Sequence, residues 1–175
     1  MFRRTGLVVF LLAILAALTP TATASAAPYC GITWGSATKS ATPTTIGTLT
    51  NIRTGQDTCW DRMVFDVTGN ANGYWVSYVD TMYEDPTGNV IPLRGGAKLS
   101  VTVQAPTYDL NGNPTYHYTN RNELANVTGY QTFRQVAFAG SWEGTTTVGL
   151  GVRARLPFRV FTLPGKIVVD VAHQW

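Results

Sequence analysis

Leu99-Ser100-Val101-Thr102-Val103-Gln104 alternates apolar and polar side chains without a break. A β-strand turns successive side chains to opposite faces, so this stretch reads as a strand with one face in a core and the other toward water. Thr147-Val148-Gly149-Leu150-Gly151-Val152-Arg153 repeats the pattern, with Val148, Leu150 and Val152 on the apolar side. Working outward, residues 63–67, 74–79, 136–139, 158–163 and 167–171 are rich in Val, Thr and aromatics and are separated by Gly, Pro, Asn and Asp turns. No segment holds apolar residues at helical spacing over three turns. The pattern predicts an all-β fold: a two-sheet β-sandwich or partly closed barrel of seven or more mostly antiparallel strands. A chain of this size can bury about two thirds of the surface it exposes when unfolded, enough for one core.

Charge and the N-terminus set the compartment. Charged residues are 13% of the 175, about half the usual quarter, and the apolar set reaches 45%. That composition excludes a disordered tail. Arg3 and Arg4 precede an apolar run over residues 7–18, followed by the small-residue exit Ala24-Ser25-Ala26. This is the layout of a secretory signal peptide over residues 1–26, because cutting after Ala27 would leave Pro28 first. Removing 26 of 175 residues leaves 149, and losing two of 13 basic residues leaves 11 against 10 acidic ones, so the net charge falls from +3 to +1. The basicity belongs to the signal, and nucleic acid drops out as a partner. About twelve apolar residues fall short of the roughly 20 that span a bilayer, so the chain is not read as membrane-spanning. Cys30 follows Pro28-Tyr29, where a lipidated cysteine would follow small residues. The expected location is extracellular or cell-wall associated.

In an oxidising compartment Cys30 and Cys59 have one intramolecular pairing open to them. A disulfide closing about 30 residues stabilises by around 3–4 kcal/mol on the chain-entropy estimate. A redox role would want a C-x-x-C pair, which the sequence lacks. Residues 36–50 read SATKSATPTTIGTLT, a loop or irregular edge strand. The domain plan is therefore a Thr-rich arm over 27–50, tied by the disulfide, and a β domain over 51–175.

Catalytic patterns are missing. Zinc hydrolysis needs three protein ligands, and the two histidines, His117 and His173, lie outside any H-E-x-x-H. Gly140-Ser141-Trp142-Glu143-Gly144 has the wrong spacing for a nucleophile elbow. Asp109-Leu110-Asn111-Gly112-Asn113 imitates a calcium loop, then places Pro114 and Asn120 where that loop needs Gly and Glu, and reads as a hairpin turn. Glu84, Asp85, Asp109, Glu123 and Glu143 are carboxylates at loops or strand ends, the raw material of a glycosidase pair. Asp66 and Asp170 sit inside apolar strands, where a carboxylate must be paired; Arg62 and Arg159 are their expected partners in structural ion pairs. No catalytic residue, cofactor or metal is expected.

Aromatics lean toward binding. Tyr108, Tyr116, His117 and Tyr118 flank the Asn111-Gly112 turn, and Trp75 and Tyr78 lie on opposite faces of one strand. Exposed rings suit sugars or a protein partner, and Arg153 and Arg155 add contacts to carboxylates. Trp75, Tyr78, Tyr116, Tyr118, Arg153 and Arg155 are thus the candidate ligand-binding set. The opposing reading makes these rings half-buried strand formers.

Trp60-Asp61-Arg62-Met63-Val64-Phe65-Asp66, the run from Gly73 to Val79, and Trp142-Glu143-Gly144 together resemble the AMIN-like domain of secreted actinobacterial proteins. Gly149-Leu150-Gly151-Val152, Leu156-Pro157-Phe158-Arg159-Val160 and Ile167-Val168-Val169-Asp170-Val171-Ala172-His173 extend the resemblance to the C-terminus. It implies a β-sandwich with an envelope-targeting role, because AMIN domains place cell-wall amidases and secretins at the envelope through peptidoglycan. The implied partner is a cell-wall polymer or an envelope protein. The Asp-Arg and Val-Val-Asp motifs are expected to be fold signatures, and the module is expected to stand alone, without an amidase or secretin segment. A secreted protein-binding or inhibitor domain is the alternative, and a small carboxylate-dependent hydrolase the third.

Overall fold

The computed structural model describes residues 27–175, so the signal-peptide reading of residues 1–26 lies outside the described residues. After a short 3-10 turn, Tyr29–Gly31, the chain forms eleven strands: β1 (Lys39–Ala41), β2 (Leu49–Gln56), β3 (Trp60–Val67), β4 (Tyr74–Val79), β5 (Met82–Tyr83), β6 (Val90–Ile91), β7 (Ala97–Val103), β8 (Phe133–Trp142), β9 (Thr145–Val152), β10 (Phe158–Leu163) and β11 (Lys166–Ala172). One sheet has the order β1-β4-β7-β9-β8, the other β10-β11-β3-β2, and β5 and β6 form a separate two-stranded ribbon. All pairings are antiparallel. The sheets stay open at their edges, so the fold is a sandwich and not a barrel. Among the described residues no helix is long and apolar enough to cross a membrane.

The two alternating stretches that decide the fold are neighbours, β7 and β9, in a register that sets Leu99 opposite Leu150 and Val101 opposite Val148. Their apolar rows face those of the second sheet, led by Phe65, Met63, Ile167, Val169 and Phe158, all fully buried. Each such side chain contributes roughly 1.5–3 kcal/mol by leaving water, and the two facing rows supply the core that neither sheet has alone.

The Thr-rich stretch is more regular than its composition suggests. Lys39–Ala41 pairs with β4 as an edge strand, and β2 begins at Leu49, crossing the 50/51 boundary drawn from composition. The Cys30–Cys59 disulfide is present and ties this arm to the start of β3. The Asn111-Gly112 segment is a turn, with Asp109 donating its backbone N–H to Asn113 O at 2.9 Å.

On the outer face of the five-stranded sheet, Met82, Ile91 and Leu93 from the ribbon and its flank pack on Ala137 and Ala139. Gly149 belongs to this contact: a Cβ there would meet Leu93 Cδ1 at 2.9 Å and Met82 Cγ at 3.0 Å. At Gly151 it would lie 2.0 Å from Arg94 O. Small residues on β8 and β9 therefore let a second layer of chain lie directly on the sheet.

Candidate functional site

The outer face of the four-stranded sheet is built differently. Since Met63, Phe65 and Val67 point into the core, the two-residue period of β3 sends Trp60, Arg62, Val64 and Asp66 outward. The same rule sends Arg159 and Phe161 outward from β10, and Val168 and Asp170 from β11. Register then sets Arg159 opposite Asp170 and Asp170 opposite Arg62, a row across three strands. Arg62 Nε and Nη2 donate to Asp170 Oδ1 and Oδ2 at 2.6 and 2.8 Å, and Arg159 Nε donates to Oδ2 at 2.8 Å. Asp170 has no exposed side-chain surface, whereas its two arginines are 36% and 37% exposed, so the carboxylate lies beneath a lid of guanidinium. The hydrogen bond to Asp170 raises the Arg62 pKa, with a smaller contribution from the charge of Asp57.

Aromatic rings complete this face. The Arg159 guanidinium carbon lies 4.4 Å from the ring centre of Trp34, 4.9 Å from that of Trp60 and 5.1 Å from that of Phe161. Arg62 lies 5.5 Å from the Phe161 ring. Trp34 and Trp60 are tilted against each other with centroids 5.6 Å apart, and both are half-buried. Cation–π contacts of this geometry fix the planes of the guanidinium groups that the carboxylate already orients.

Beneath the end of this row a second carboxylate acts inside the sandwich. Asp61 points inward from β3, and its Oδ2 accepts the backbone N–H groups of Thr132 and Phe133 at 2.6 and 2.8 Å. Its Oδ1 lies 3.1 Å from His173 Nε2, and His173 Nδ1 lies 3.2 Å from Thr58 O. Asp61 and His173 are essentially without exposed surface. Phe133 opens β8, so this group clamps one sheet to the other; it offers a ligand no access.

The candidate ligand-binding residues fall into separate surroundings. Trp75 stands 58% exposed on the outer face of β4. Tyr78 points inward from the same strand, donates its hydroxyl to Leu156 O at 2.8 Å and lies under Arg155, whose guanidinium carbon is 4.9 Å from its ring. Tyr116 is buried, with burial pushing its phenol up to about 12, and Tyr118 is exposed beside it at 6.0 Å between centroids. Arg153 donates to His173 O. The six thus form no single platform.

The ion pairs also need one correction. Arg62 and Arg159 both serve Asp170, and Asp66 is paired instead with Arg53, which donates from Nε and Nη2 at 2.8 and 3.0 Å. Lys166 of β11 stands opposite Asp66 in register, but it is Arg53 of β2 that makes the ion pair. That guanidinium holds the Asp66 carboxyl below its ordinary range.

A family model for the AMIN-like domain matches residues 47–173, well over half of the chain. The chain belongs to the AMIN-like domain family. No curated protein and no solved structure matches it. In this AMIN-like domain the segments Trp60-Asp61-Arg62 and Asp170-Val171-Ala172-His173 lie side by side on β3 and β11, with Val171 opposite Asp61. One pair of strands thus carries both the outward Arg62–Asp170 contact and the inward Asp61–His173 contact.

Sequence reasoning missed Trp34, Trp60 and Phe161 as parts of this face. The signal was available for two of them: Trp60 with Arg62 and Phe161 with Arg159 are two residues apart and must share a face once each segment is a strand. Trp34 had no such signal, because the disulfide and the arm's path bring it there.

An open cleft of about 690 Å³ lies elsewhere, lined by Ile46, Gln104, Pro106, Tyr108 and Leu110 among others. Its lining is mainly apolar, and Asp109 is the one charged residue in it among the described residues.

Proposed function

We propose that the protein is a non-catalytic module that works outside the cytoplasm and binds the cell envelope through peptidoglycan. The observation that carries this reading is the match of the AMIN-like domain over residues 47–173. Three further features support it. The Cys30–Cys59 disulfide suits an oxidising compartment. The outer face of the four-stranded sheet presents indole rings beside guanidinium groups, a combination suited to sugar rings and carboxylates. The buried Asp61–His173 pair is spent on holding the two sheets together, which leaves it no catalytic part.

Binding to intact sacculi tests the reading. Purified, disulfide-bonded protein is mixed with sacculi and sedimented at several salt concentrations. Recovery of most of the protein in the pellet at low and moderate salt is the expected result. Recovery of all of it in the supernatant at every salt concentration overturns envelope binding.

A further inference from the structure

We infer that the Arg62–Asp170–Arg159 row, with Trp34 and Trp60, is an oxyanion site that takes a carboxylate or phosphate group of a cell-wall polymer. This rests on the envelope-binding reading and names the chemistry of the contact.

The charge count is the first argument. Two guanidinium groups share the single carboxylate of Asp170, which leaves one positive charge in excess at the row. Asp66 belongs to Arg53, and Asp57, the other carboxylate acting on Arg62, is exposed and makes no hydrogen bond to either arginine among the described residues. The donor count is the second. Each guanidinium has five N–H groups. Among the described residues Nη1 of Arg62 and Nη1 of Arg159 donate to nothing, while the other nitrogens hold Asp170. Both side chains are more than a third exposed, so those donors are open to an incoming oxyanion.

Preorganisation is the third argument. Asp170 sits on a central strand of its sheet and has no exposed surface, and it fixes both guanidinium planes from below. Trp34, Trp60 and Phe161 fix Arg159 from the side. A ligand therefore meets planar forks whose side-chain entropy has already been lost, the condition under which arginine recognises carboxylate and phosphate in a bidentate manner. The indoles beside the forks supply a surface for a sugar ring or an alkyl chain attached to the anion. Trp34 lies outside the residues the family model matches, so this wall of the site comes from the arm held by the Cys30–Cys59 bond.

A titration followed by 15N NMR on the indole N–H groups of Trp34 and Trp60 and on Arg159 Nε–H tests the inference. The probes are muramyl dipeptide with its free carboxylate, the corresponding carboxamide, and glycerol phosphate. The expected result is that at least one anionic probe shifts all three signals and the carboxamide does not; which anion acts identifies the source as peptide carboxylate or phosphate polymer. Arg159→Gln and Trp34→Ala, each checked for an unchanged near-UV circular dichroism spectrum, should weaken that binding, the former by about tenfold or more. Should neither anion move the signals while sacculi still retain the protein, the oxyanion site is wrong and envelope binding stands. If the anions bind but sacculi do not retain the protein, the site stands and the envelope reading falls. Unchanged anion binding by both variants likewise overturns the site.

Discussion

The two outer faces of the sandwich solve the same problem in opposite ways. On the five-stranded sheet, Gly149, Gly151, Ala137 and Ala139 leave the surface nearly bare, and the chain covers it with its own ribbon through Met82, Ile91 and Leu93. On the four-stranded sheet the corresponding surface bears Arg159, Asp170 and Arg62, and the two guanidinium groups stay more than a third exposed, with Trp34 of the arm stacked against Arg159. A face stripped to glycine and alanine can satisfy itself with apolar cover. A face lined with arginines forms a polar surface ordered by the carboxylate they share. The difference lies in what meets water: one face carries a layer of its own chain, and the other keeps charged side chains at its surface.

The largest effect should separate the carboxylate inside the sandwich from the one held beneath the two outer arginines. Asp61→Ala leaves the backbone N–H groups of Thr132 and Phe133 and the ring of His173 without their partner in a dry interior, and should cost about 3–5 kcal/mol. Asp170→Ala frees two arginines that water can reach, and the loss should be nearer 1–2 kcal/mol. Urea denaturation of both variants measures the gap. Equal losses would mean that the outer row holds the fold as firmly as the inner clamp.

Two glycines sharpen the same contrast. Gly149→Val drives a branched side chain into Leu93 and Met82 and should destabilise by about 1–3 kcal/mol. Gly55, opposite Arg62 on the open face, has nothing within 4 Å of an added Cβ. Gly55→Ala should therefore stay within about 0.5 kcal/mol of the parent in thermal or urea melts.

The smallest effect concerns the ribbon's own fastening. Glu84, in the turn between β5 and β6, accepts hydrogen bonds from Thr87, Asn89 and Arg121, and these hold its carboxyl at about 2. A carboxyl lowered on folding stabilises above the ordinary carboxylate range, and that contribution disappears as pH falls from about 4.5 toward about 2. A 13C titration of the Glu84 carboxyl should show the depressed midpoint, and Arg121→Ala should raise it while leaving the open face unaltered.

How much was legible follows from which interactions repeat along the chain. Alternation in 99–104 and 147–153 identifies β7 and β9 without ambiguity, because a period of two residues leaves a half-buried strand as the conformation that buries Leu99, Val101, Val103, Val148, Leu150 and Val152 together. The disulfide was equally legible, since two cysteines leave one pairing. The aromatic set was not, because a ring's exposure depends on tertiary packing: Tyr116, between Thr115 and His117, is covered, whereas Trp75, between Tyr74 and Val76, is not.

By itself, then, the sequence determined the β class, the two-faced strands, the single disulfide and the family motifs, all of which depend on local period or on counting. Tertiary structure decided the partners. Arg62 and Asp170 are 108 positions apart, and their meeting depends on the antiparallel register of β3 against β11. Asp66 found Arg53 across a different strand pair, and Asp61 found His173 on the inner side of the strand that carries Arg62 outward. A shift of one residue in that register would send each of these charges to the opposite face, so the site is a property of strand pairing and not of any one segment.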